Sequence, residues 1–86
     1  SPLYLGKDYC ATDLVELITP LYELGFLTTA SGSPAKLKTI VRAFETTFNV
    51  RMPNYDVLRH AAINRKLRLT PLLDRMREVM LRLSQE

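Results

Sequence analysis

Apolar residues recur at helical spacing in four separate stretches of this 86-residue chain. Nowhere do they alternate with period two for long enough to make a confident strand. The stretches are broken by Gly25, Ser33-Pro34, Asn49–Pro53 and Thr70-Pro71, which are residues that stop or start helices. The pattern predicts an all-α fold, a compact four-helix domain with connections short enough for a helix-turn-helix. A chain this short has room for one domain, spanning 1–86.

The first helix is expected from about Asp13 to Leu24. Asp13 and Glu16 form a D-x-x-E pattern that reads as a helix cap rather than a catalytic carboxylate pair, with Thr12 as the alternative cap. Leu14, Val15, Leu17, Ile18, Leu21, Tyr22 and Leu24 fill half of the helical wheel, an arc wide enough for packing on more than one side. Pro20 frees the carbonyl of Glu16, and a kink is expected rather than a break. Gly25 stops the helix, with Phe26 folding back on Leu21 in a Schellman ending. A second helix is expected from the Ser33 cap and Pro34 to Phe48, with Leu37, Ile40, Val41, Phe44 and Phe48 facing the core. Asn54 caps a third, whose core face is Tyr55, Val57, Leu58, Ala61 and Ala62 and which frays near Asn64. Thr70-Pro71 starts a fourth, with Leu72, Leu73, Met76, Val79, Met80 and Leu83 on one side; Met76 and Met80 read as core. Pro2–Leu5 and Phe26–Thr28 are the only pieces with any tendency to pair as strands.

Hydrophobic residues at 47% and charged residues at 24% make an ordinary globular balance, which argues against disorder. No apolar run approaches the roughly 20 residues of a membrane span. The single cysteine, Cys10, reads as a small apolar residue and forms neither an internal disulfide nor a zinc site, so a reducing, cytoplasmic setting fits. A start at Ser1 suggests a domain of a longer protein or a processed product. The net charge of +3 is unevenly placed. Residues 1–50 hold four cations and five anions, whereas residues 51–86 hold eight cations and four anions. Such an excess attracts phosphate or an acidic partner.

Enzyme chemistry fails on inventory. The one histidine and one cysteine are far apart in sequence, and no nucleophile elbow, phosphate-cradling glycine loop or H-E-x-x-H is present. The sequence therefore calls for no catalytic residue, metal, cofactor or small-molecule substrate. Its candidate surface is the outer face of the third helix and the turn after it: Arg59, His60, Ile63, Asn64, Arg65, Lys66 and Arg68. Arginine and asparagine can each make paired hydrogen bonds to base edges, and an exposed Ile63 can touch a thymine methyl. Lys66 and Arg68 would contact phosphates and position the helix. The competing reading is a solvated basic face that meets an acidic protein, with Leu81 on the fourth helix marking a contact.

Three blocks in order strengthen the first reading. They are Thr12-Asp13-Leu14-Val15-Glu16-Leu17-Ile18, then Phe44-Glu45-Thr46-Thr47-Phe48-Asn49-Val50, then Asn64-Arg65-Lys66-Leu67-Arg68-Leu69-Thr70-Pro71-Leu72-Leu73-Asp74-Arg75-Met76. Their order and spacing resemble the C-terminal region of the RteC family, regulatory proteins of Bacteroides-type conjugative elements, over roughly residues 4–83. Ala11, Pro20 and Leu72 depart from the family pattern, in place of a lysine, a small helix former and an aromatic residue. The resemblance implies the DNA-binding C-terminal domain of a bacterial transcriptional regulator that controls excision or transfer of a mobile element, preceded by an N-terminal domain. It carries over to Arg65, Lys66 and Thr70. The partner expected is double-stranded DNA, with a second copy of the chain on a two-fold site supplying specificity.

Overall fold

The computed structural model describes residues 1–65 and 67–86. Four helices form in the expected order: α1 (Ala11–Glu23), α2 (Leu37–Phe48), α3 (Tyr55–Ile63) and α4 (Pro71–Ser84). Among the described residues the only β-type pairing is an isolated antiparallel bridge between Thr28 and Pro34. No helix of the described residues is long and apolar enough to cross a membrane.

α1 is the hub. α2, α3 and α4 each pack on it and hardly touch one another, which is what its wide apolar arc requires. Leu14, Val15 and Ile18 from α1 meet Ile40 and Val41 from α2, Tyr55 and Ala62 from α3, and Met52 from the connection between them. α1 runs through Pro20 without a break. It ends as expected for a Schellman motif: Gly25 has φ of +66°, its N–H donates to Tyr22 O, and the Phe26 N–H donates to Leu21 O at 3.1 Å. The Phe26 side chain, however, is exposed instead of packing back on the helix.

The start of α1 differs from the sequence reading. Cys10 is the N-cap, and its N–H donates to Asp13 Oδ2 at 2.8 Å, so Asp13 caps from the first turn. Cys10 is exposed rather than packed as a small apolar residue. Glu16 has no part in this cap.

α2 begins three residues later than Ser33-Pro34 implied. Thr29 N–H donates to Ser33 O and Ala35 N–H to Leu27 O, which holds 27–35 as a tight hairpin-like loop and keeps Pro34 extended. Phe26–Thr28 therefore pairs with this segment and not with Pro2–Leu5. The N-terminal piece is tied elsewhere: Asn49, left-handed at φ of 53° at the end of α2, donates from Nδ2 to Ser1 O and Leu3 O, both at 2.8 Å. On α3, Tyr55 and Ala62 are buried and Leu58 is half-buried, whereas Val57 and Ala61 face solvent. Two helices contacting α3 would have covered both sides, but only α1 packs on it closely. Met76 and Met80 on α4 are likewise exposed and not core.

Candidate nucleic-acid interface

The seven residues expected to face DNA divide into two groups. Arg59 and Arg65 are each paired with a carboxylate of α1, Arg59 at the surface and Arg65 against the core. Arg59 Nη2 lies 3.1 Å from Glu23 Oε1, which ties α3 to the last turn of α1. Arg65 follows the end of α3 and rotates toward the core, where its Nη1 donates to Glu16 Oε1 at 3.3 Å. Asn64 is the C-cap of α3 and its Nδ2 donates to His60 O at 2.7 Å, so its amide closes its own helix. Each arginine uses one guanidinium nitrogen in these contacts, which hold both side chains toward α1.

His60, Ile63 and Arg68 remain exposed. His60 and Ile63 lie on the outer side of the last α3 turn. Ile63 also borders a cavity of about 240 Å³ that Ala62, Leu69 and Leu73 share. Lys66 lies outside the described residues.

Glu16 is the central residue that the sequence reading missed. The residue is 5% exposed, and both carboxylate oxygens are used. Oε1 takes the Arg65 guanidinium, and Oε2 accepts the Leu73 N–H at 2.8 Å. Leu73 is the third residue of α4, so Glu16 supplies the capping acceptor for that helix from α1, with its charge at the positive end of the helix dipole. Thr70, the formal N-cap, instead donates its hydroxyl to Asp74 Oδ1 at 2.9 Å. The sequence signal for Glu16 was its position: a lone acid between Val15 and Leu17 on a helix packed on several sides.

A second feature was legible but unused. Arg68, Arg75 and Arg82 recur at seven-residue intervals. Arg75 and Arg82 are two turns apart on one edge of α4, roughly 10 Å along its axis. Arg68 and Arg75 border a common cleft of about 170 Å³ beside Asp8, Tyr9 and Asp13. Among the described residues the ion pairs are Arg59–Glu23 and Arg65–Glu16, and Arg51, Arg68, Arg75, Arg77 and Arg82 are exposed outside any pair.

The class defined at this level is an all-α four-helix domain, held by a central helix and carrying a row of exposed arginines. Comparison with protein-family models, with curated proteins and with solved structures finds no match to the chain.

Proposed function

We propose that the chain is the DNA-binding domain of a bacterial transcriptional regulator of the RteC-like kind, and that it meets DNA through the arginine row and not chiefly through α3. The observation that supports this reading is the sorting of the arginines. Arg65 is spent on the buried Glu16 and Arg59 on Glu23 at the surface, while Arg68, Arg75 and Arg82 form an exposed basic edge along α4 and the turn before it. Such an edge follows a phosphate backbone, and His60 and Ile63 lie on the neighbouring helix end for base contacts. A lone domain contacting DNA this way binds non-specific sequence with Kd of about 10⁻⁴–10⁻⁶ M at physiological salt. Control of excision or transfer of a mobile element would follow from operator choice.

Fluorescence anisotropy on a labelled duplex of random sequence, over a salt series, tests the reading. Replacing Arg75 and Arg82 together by alanine should weaken binding and flatten the log–log salt slope by roughly two units. Arg59→Ala should leave that slope unchanged. Absence of binding at low salt, or a slope indifferent to the double substitution, overturns it.

One observation favours a second reading, an interaction module: α4 contributes no buried residue, so its apolar side is left open.

A further inference from the structure

α4 is amphipathic, yet packing on α1 covers little of its apolar side. Met76 is 45% exposed, Val79 41%, Met80 68% and Leu83 53%. These residues fall on one stripe at helical spacing. Toward its N-terminal end the stripe runs into a shallow apolar cleft of about 260 Å³, lined by Leu5, Leu14, Leu17, Phe48, Leu72 and Met76 and bordered by Tyr9 and Asp13. Met76 belongs to both features, so stripe and cleft form one continuous surface.

Along Met76 to Leu83 the borders of the stripe are basic, and Asp8 and Asp13 stand only at its N-terminal end, near Arg75. Arg75 and Arg82 flank it on one side and Arg77 on the other. The two acids of α4, Asp74 and Glu78, lie on the far side of the helix. We propose that this surface docks an amphipathic helix with acidic borders, supplied by another protein. The partner's apolar residues would lie along Met76, Val79 and Leu83, one large side chain would enter the cleft, and its carboxylates would meet Arg75, Arg77 and Arg82. This inference rests on the interaction reading and does not require DNA binding.

Charge decides against a second copy as the occupant. A copy presenting the same face brings a second set of arginines to the same seam, where like charges oppose pairing. Anionic lipid would also satisfy the arginines, so vesicle binding is a separate outcome of the test.

The test uses two designed helical peptides with leucine at i, i+3, i+4 and i+7, one flanked by glutamates and one by lysines. Titration into the labelled domain should show the glutamate peptide binding at least tenfold more tightly. Val79→Asp should abolish binding without lowering the thermal midpoint, since no residue of α4 is buried. Exchanging Arg75 and Arg77 for glutamate should reverse the preference between peptides. Equal binding of both peptides overturns the acidic partner and leaves an interaction surface standing. A dimer in sedimentation that Val79→Asp dissolves overturns it in favour of a second copy. Binding to phosphatidylglycerol vesicles with neither peptide bound overturns it in favour of membrane. If neither peptide nor vesicle binds a monomeric domain, both this inference and the interaction reading fall.

Discussion

Removing the Glu16 carboxylate strips two donors at once, the Arg65 guanidinium and the Leu73 amide. Glu16→Ala is expected to cost about 2–3 kcal/mol, because it leaves a largely buried cation and a helix-end N–H without their acceptor. For a domain of this size that lowers the thermal midpoint by roughly 10–20 °C. Glu16→Gln keeps an acceptor for the Leu73 N–H and should cost less than the alanine. A melt in which Glu16→Ala matches the parent would show that the contact carries no stability. The D-x-x-E spacing pointed to one cap at the start of α1 made by both acids, and the structure divides them. The sequence did not reveal that they cap different helices. Asp13 serves its own helix across three residues, which is a local geometry. Glu16 serves α4 at the Leu73 amide, 57 residues away, and no local pattern encodes that distance.

Where helices end, local and distant contacts meet in the same side chains. Asn49 adopts φ of 53° to terminate α2, and its amide also holds the carbonyls of Ser1 and Leu3. Asn49→Ala should cost about 1–2 kcal/mol, from left-handed strain and two lost hydrogen bonds. Asn49→Gly removes the strain but not the second loss. Its expected signature is near-parental stability with residues 1–3 released, read as a fall in backbone order parameters by NMR. Ordered residues 1–3 in the glycine variant would show that the side-chain clamp is dispensable. The αL ends at Gly25 and Asn49 were legible because few residues tolerate them. The start of α2 was not, because Ser33-Pro34 suits both a helix start and the extended loop that the Leu27–Ala35 and Thr29–Ser33 hydrogen bonds select.

Across the whole molecule, cohesion falls off with distance from α1. The radius of gyration is 14.1 Å, against roughly 12 Å for a typical globular chain of this length. Leu14, Val15 and Ile18 lie at the centre of the core, while α4 touches it only from outside. Native-state hydrogen exchange should therefore separate the two helices. Amides around Val15 and Ile18 should open only with global unfolding, and those from Met76 onward should exchange at least tenfold faster. Equal protection in both helices would mean that α4 is as firmly bound as the core. Binding of an acidic helix on the stripe should raise the protection of α4 alone.

The helical periods, the glycine and asparagine stops and the proline starts are set by chemistry within a few residues, so the number, order and class of the elements could be read from the chain. So could the basic bias of residues 51–86, including the seven-residue spacing of Arg68, Arg75 and Arg82. Which faces are covered is a different matter, because it depends on how many neighbours each helix finds. α1 found three and buries even a glutamate, whereas α3 and α4 found one close neighbour each and leave Val57, Met76 and Met80 in solvent. The same packing drew Arg65 inward to Glu16, paired Arg59 with Glu23 at the surface and left the α4 arginines unpaired among the described residues. A helical wheel assigns a residue to a side of its own helix, but only packing decides whether that side meets protein or water.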